Sequence, residues 1–145
     1  MTPLVTTDRL DHVHLNVTNR TASIAWYGRV LGLRVLGEAN PDPSHPVFLA
    51  PADTSRLCLS LFMGEPASGP NRNIAFHAKA RDFVAFARYL PNPDVTNHKG
   101  QPLTAHSFHD YGMALNFDFT DPDGNHIELV TYECDAARAE LSGLT

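Results

Sequence analysis

The chain is poor in the features that would give it away at once. It has two cysteines in 145 residues, Cys58 and Cys134, so no disulfide framework is available and a reducing compartment is expected. Acidic residues outnumber basic ones, 16 against 11, and no basic stripe runs along the chain to neutralise phosphates, which excludes a general nucleic-acid binder. No apolar run approaches the length of a membrane span. The first residues, Met1-Thr-Pro-Leu-Val-Thr-Thr, lack a charged segment followed by an apolar one, so no signal peptide is visible. The expectation is therefore a cytoplasmic protein that partners neither membrane nor nucleic acid. The length suits one domain, or two small modules sharing a core.

Histidine is plentiful by contrast, with eight in the chain. Several fall within strands that alternate apolar and polar, while His45 and His98 sit among loop residues. Over Leu10 to Val17, Val13, Leu15 and Val17 share one face, with His12, His14 and Asn16 on the other. Thr21 can cap a helix through about Leu31, with Ile24, Tyr27 and Leu31 in a stripe and Gly32 ending it. Strands are expected at Arg34 to Glu38, Val47 to Ala50 and Leu57 to Met63, followed by a breaker-rich linker, Glu65 to Pro70. The order then repeats. Ile74, Phe76 and Ala78 alternate with Asn73, Ala75 and His77. Asp82 opens a helix with Phe83, Phe86, Ala87 and Leu90 on one face, stopped by Pro91. A long polar loop runs from Pro93 to His109, strands follow at Gly112 to Phe119 and Asn125 to Glu133, and a short helix is expected from Asp135.

The chain therefore reads as β-α-β-β-β twice, an internal repeat of one supersecondary design. The expected fold class is α+β, with module one over about 8–64 and module two over about 71–134. The apolar parity of each first strand should pack beneath that half's helix. His12, His14, Asn73, His77, Cys58, Ser60 and Glu128 are left on the opposite faces. Glu128 stands out because it is flanked by Ile127 and Leu129, and a carboxylate taken out of water needs a cation or hydrogen-bond donors.

Three segments carry a resemblance. Leu10-Asp-His-Val-His-Leu-Asn-Val with Ala25-Trp-Tyr-Gly-Arg-Val-Leu-Gly-Leu, Asn73-Ile-Ala-Phe-His, and Asp121-Pro-Asp-Gly-Asn-His-Ile-Glu-Leu resemble the opening, the second-module start and the closing motif of the vicinal oxygen chelate superfamily. That superfamily covers glyoxalase I, extradiol dioxygenases and bleomycin-binding proteins. The resemblance spans roughly Leu10 to Glu133. It implies two βαβββ modules forming a cupped mixed sheet around a site for a small molecule, commonly in a homodimer. It further implies a divalent metal ion (Fe2+, Zn2+, Mn2+ or Ni2+) on His12 and Glu128. The position where a third ligand, a histidine, is usual falls on Asn73, and an amide oxygen is a poor transition-metal ligand beside imidazole. That departure leaves room for a chain that holds no metal.

The third ligand is then Asn73, His14 or water. His14 lies about 6.6 Å along the strand from His12, and His77 about 13 Å from Asn73. With Asn73 given over to substrate contact, His14 and Tyr111 are further candidates for binding substrate, and His77 and His109 for catalysis, since imidazole titrates near neutrality. The segment Phe108-His-Asp-Tyr-Gly resembles the region that assists proton transfer in extradiol dioxygenases. Three functions follow: ring cleavage of the extradiol type, a glyoxalase-type lyase or isomerase, and a metal-free binder of the bleomycin-resistance type. Each residue also has a plainer role: interior histidine, structural carboxylate, or, for Cys58, small buried hydrophobe.

Overall fold

The computed structural model describes residues 2–67 and 73–145. The expected linker lies outside the described residues from position 68 on, as does the start of module two near position 71. The chain divides into two compact units, Met1–Glu65 and Pro66–Thr145. No helix among the described residues is long and apolar enough to cross a membrane.

The first unit runs β1 (Val13–Val17), α1 (Arg20–Leu31), β2 (Leu33–Val35), β3 (Val47–Pro51) and β4 (Leu59–Met63). The second runs β5 (Asn73–His77), α2 (Ala80–Arg88), β6 (His109–Asp110), β7 (Leu115–Thr120), β8 (His126–Thr131) and α3 (Cys134–Leu141). Each unit builds one four-stranded sheet, in the order β1-β4-β3-β2 and β5-β8-β7-β6. The two orders correspond strand for strand, and in each the first strand pairs parallel to the last. This is the α+β, two-module fold that the repeat predicted.

Local chemistry explains where the elements begin and end. Helix α1 is capped by Asn19, not Thr21: the Asn19 side chain accepts from Ala22 N at 3.0 Å. Gly32 closes the helix at φ 66°, a left-handed conformation that suits a residue without Cβ. The buried face of α1 is Ser23, Trp26 and Tyr27, one position around from the expected stripe, with Ile24 and Leu31 only half-buried. Asn19→Ala removes the cap and is expected to cost about 1 kcal/mol. A urea melt followed by the fluorescence of Trp26, the chain's one tryptophan, reads that loss in the first unit.

Helix α2 starts at Ala80, two residues before the expected Asp82. Lys79 supplies no side-chain cap, and the Ala80 N–H instead donates to Glu133 Oε2 at 2.5 Å. The carboxylate that follows β8 thus fills the anion-favouring end of α2 and ties helix to sheet. Beneath them Phe83, Phe117, Leu115 and Ile127 are buried to within about one per cent of completeness. The long loop after α2 is pinned by Thr96, which bridges both Pro102 and Thr120.

Candidate functional site

In the first unit two of the histidines, His12 and His14, lie at the start of β1. His12 lies one residue ahead of the strand. Its Nδ1 is 2.7 Å from Asp11 Oδ2. An ionised carboxylate can only accept there, so Nδ1 carries a hydrogen, and in the neutral ring Nε2 is then the acceptor. His12 also pulls the Asp11 carboxyl below its ordinary value, chiefly through that hydrogen bond. A carboxylate behind one imidazole nitrogen is the support that metal-binding histidines usually have. The His14 ring stands edge-on to His12, with centroids 4.8 Å apart, and packs against Phe62 at 5.0 Å. Ser60 lies cross-strand from His14, fully buried, its hydroxyl without a partner. Cys58 is half-buried with its thiol pushed up by burial, and it donates to Leu49 O at 3.4 Å. That is the surrounding of an inert packing residue.

In the second unit the register stacks the polar residues in rows on one face of the sheet. Asn73, His126 and Thr120 form one row, Ala75, Glu128 and Asp118 the next, and His77, Val130, Asn116 and His109 the third. Ile127, Leu129, Leu115, Phe117 and Phe119 point the other way, into the core. Asn73, His77, His109 and Glu128 thus share one face, but they are not equal neighbours. The exposed His77 ring stacks on Tyr132 at 5.8 Å. His109 Nε2 sits 3.4 Å from Asp118 Oδ2, and Tyr111, also exposed, lies 6.2 Å from His109 between ring centroids.

The turn before β8 fixes where Glu128 falls. Asp121 Oδ1 accepts from Asp123 N and Asn125 N, both at 2.9 Å, and Asp121 Oδ2 accepts from Asn125 Nδ2 at 2.8 Å. Gly124 takes φ 80°, and its N–H closes the turn on Asp121 O at 3.0 Å. From there β8 pairs with β7 so that Glu128 meets Asp118, two carboxylates directly opposite each other. Burial first, and then the Asp118 charge, push the Glu128 carboxyl above its ordinary value, while the Asn116 amide pulls it down. Asn116 Nδ2 lies 3.3 Å from Asp118 Oδ2, and its Oδ1 is buried with no partner. Among the described residues, no Lys or Arg pairs with Glu128 or Asp118.

A cleft of about 500 Å³ opens beside these rows, lined among others by Asn73, His98, His109, Asp118, Thr120 and His126. Asp118 brings the carboxylate pair to its edge, while Glu128 itself does not line it. As the side chains stand, no three His, Cys, Asp or Glu residues among those described converge as a metal site does. The carboxylates of this face are the Glu128–Asp118 pair, with His109 Nε2 3.4 Å from Asp118. Sequence reasoning missed Asn116 and Asp118. Their alternation with Leu115, Phe117 and Phe119 was visible, but the register that sets Asp118 against Glu128 was not.

The two-residue strand that presents His109 is held from behind by α3. Arg138 Nε and Nη2 grip Asp110 at 2.6 and 2.7 Å, and Nη2 also donates to Gly112 O at 2.7 Å. The hydrogen bond from Arg138 holds the Asp110 carboxyl down to about 2. A depressed carboxyl stabilises the fold above its ordinary range and loses that contribution as pH falls through it. The grip on His109 is therefore expected to persist above pH ~4 and to fail progressively towards pH ~2. Hydrogen exchange at the Tyr111 and Gly112 amides checks this, and Asp110→Asn should give the fast exchange already at pH 6.

A family model described as Glyoxalase/Bleomycin resistance protein/Dioxygenase superfamily matches residues 9–129. No curated protein matches significantly. Among solved structures, the oxidase ChaP-H2 is 19% identical at a TM-score of 0.63, covering 87% of this chain and 94% of its own. The trypanothione-dependent glyoxalase I of Leishmania major is 23% identical at a TM-score of 0.53, covering 94% and 95%. A lactoylglutathione lyase from Agrobacterium tumefaciens is 18% identical at a TM-score of 0.58, covering 95% and 98%. At these identities the likeness is one of fold.

Proposed function

The chain belongs to the Glyoxalase/Bleomycin resistance protein/Dioxygenase superfamily, and from that premise we propose that it is a divalent-metal enzyme acting on a small oxygenated substrate, by ring cleavage of the extradiol type. The observation that carries this reading is the Glu128–Asp118 pair, set opposite each other with no lysine or arginine paired to either among the described residues. Two carboxylates so placed need a proton or a cation, and a divalent ion supplies the charge. Glu128 would hold the ion. The family resemblance alone supplies His12 as its second ligand, and with Nδ1 hydrogen-bonded to Asp11 it would bind through Nε2. When bound, such an ion acts as a Lewis acid towards adjacent substrate oxygens.

The remaining roles belong to the chain's own groups. His109 lines the cleft with its Nε2 towards Asp118, so it can take a proton from a substrate hydroxyl and return it later. Asn73 lines the same cleft and offers an amide to the substrate. His77, exposed on the same face, is the second candidate for proton transfer, and the exposed Tyr111 and, in the first unit, His14 are assigned to substrate contact. Glutathione chemistry has less support, because among the described residues the cleft lining includes no lysine or arginine to receive its carboxylates. A homodimer is proposed, as is common in the superfamily.

Protein purified without a histidine tag should carry iron or another divalent ion in equimolar amount, and should consume oxygen with a member of a catechol panel when given Fe(II). Asn73 in the usual histidine position favours a second reading, a metal-free ligand-binding protein. Metal-free protein that also fails to take up added ions would decide for that reading.

A further inference from the structure

We propose that Asn73, His98 and His126 form a subsite for an uncharged carbonyl oxygen, and that the cleft takes a small hydroxyaryl ketone whose hydroxyl lies at His109. The inference rests on the cleft being the substrate site, as read above, and is independent of the ion. Asn73, His126 and Thr120 stand in one row across β5, β8 and β7. Thr96 extends that row by bridging to Thr120, and its carbonyl accepts from Thr120 N at 2.9 Å. The chain then turns back at once. Asn97 O accepts from Gly100 N at 2.9 Å, and Asn97 Oδ1 accepts from Lys99 N at 2.9 Å and Gln101 N at 3.1 Å. This tight turn, anchored beside β7, carries His98 to within 6.5 Å of His126 between ring centroids, and both residues line the cleft with Asn73.

Neighbouring polar side chains of the cleft are already occupied. Asn97 holds the turn and Gln101, the Thr120 hydroxyl donates to Thr96 O at 3.4 Å, and the Ser107 hydroxyl accepts from Thr104 N at 2.8 Å. The side chains of Asn73, His98 and His126 have no hydrogen bond to a protein group among the described residues. Each offers an N–H, whichever tautomer an imidazole takes. Two hydrogen bonds of about 2.9 Å to one oxygen are long enough to span ring centres 6.5 Å apart. The Asn73 amide joins them from the neighbouring strand, about 4.8 Å away. The group that meets these donors is an acceptor, and it is uncharged. Among the described residues no lysine or arginine lines the cleft, and the Glu128–Asp118 pair on the same face repels an anion. Asp118 lies two residues along β7 from Thr120, about 6.6 Å from the row. That is the length of a benzene ring with an oxygen at each end, so a phenolic hydroxyl reaches Asp118 and His109 when the carbonyl is seated. Pro102 and Leu103 add apolar lining for the ring.

The test is a nuclear magnetic resonance titration of the full-length, tag-free protein in chelator with para-hydroxyacetophenone, para-ethylphenol and para-hydroxybenzoate. The ketone should bind about 5- to 10-fold more tightly than para-ethylphenol, which lacks the acceptor, the increment of one to two neutral hydrogen bonds. It should also bind more tightly than the charged para-hydroxybenzoate. His98→Ala, at an exposed turn position, should abolish most of the ketone's advantage and leave para-ethylphenol unchanged. His98→Gln, which keeps an N–H donor, should restore part of it. Equal affinity for the ketone and para-ethylphenol, a preference for the carboxylate, an advantage that survives His98→Ala, or no binding of any of the three overturns the inference. Ion uptake tests the metal-enzyme reading separately. Protein that takes up no ion but keeps the ketone preference removes that reading and supports the subsite, and protein that binds Co(II) without the preference does the reverse.

Discussion

Glu128→Gln should lower the affinity for a divalent ion about 100-fold or more and, with chelator present, make the protein more stable by about 0.5 to 1 kcal/mol. The opposite signs follow from one geometry. Glu128 sits opposite Asp118 on adjacent antiparallel strands, and it is partly withdrawn from water. Without an ion, like charges in directly opposed positions repel, and the desolvated carboxylate has only the Asn116 amide to favour its charged form. Glutamine keeps the shape and removes the charge. With an ion, that charge is what binds, so the same substitution is costly. The pH dependence separates this account from simple repacking. Burial and Asp118 raise the folded-state carboxyl above its unfolded value, so the folded chain binds the proton more tightly. The penalty from Glu128 is therefore absent at acid pH, below the unfolded carboxyl range, and grows as pH rises through the folded value. The stability difference between Glu128→Gln and the parent should accordingly vanish near pH 4 and be full at neutrality. Thermal melts in chelator across that range, paired with Co(II) titrations at pH 7.5, measure both halves. A variant that binds the ion normally, or a stability gain independent of pH, would contradict the assignment.

Much of this was legible in the sequence because short-range chemistry decides it. Asp121-Pro-Asp-Gly-Asn announces its turn through residues that bond their own backbone, and Gly124 takes the positive φ. The apolar alternation of Leu115, Phe117 and Phe119 marks the buried face of β7 without any knowledge of its partner. Reading went astray where a neighbour distant in sequence decides. Thr21 and Asn19 are both good caps, and local sequence does not choose between them. Helix α2 begins at Ala80 because Glu133, 53 positions away, satisfies its first N–H. Glu128 was found as an anomaly in its own strand, whereas Asp118 looks ordinary until the antiparallel register sets it opposite. His126 reads in the sequence only as part of a motif, since nothing local marks it as the cross-strand partner of Asn73.

Phe117→Ala, one residue from Asp118 on the same strand, should do the reverse of Glu128→Gln: destabilise the second unit by about 3 to 5 kcal/mol and leave ion binding alone in whatever protein remains folded. Phe117 is fully buried, and its ring meets Phe83 at 4.9 Å, Phe86 at 5.3 Å and Phe108 at 6.0 Å. It thus joins β7 to helix α2 and to the loop that leads into β6. Truncation leaves a ring-sized void among aromatic side chains carried by helix α2 and by the residue before β6, so collapse into the space is limited. The aromatic contacts add about 0.5 to 1.5 kcal/mol each beyond the area they bury, which places the effect in the upper part of the range. Phe117→Leu refills most of the volume and should cost roughly half as much. Hydrogen exchange of the β7 and β8 amides is the direct measurement, because it reports the opening free energy of the strands that Phe117 supports. Asp118→Asn, which should weaken ion binding and leave the core intact, completes the check on which face each residue takes. A strand sends successive side chains to opposite faces, so a slip of one residue in β7 would exchange the two phenotypes. Core loss at Phe117 with intact Co(II) binding, beside ion loss at Glu128 with gained stability, is what the pairing of Phe117 with Leu129 and of Asp118 with Glu128 predicts, and ion loss in a folded Phe117→Ala protein would contradict it.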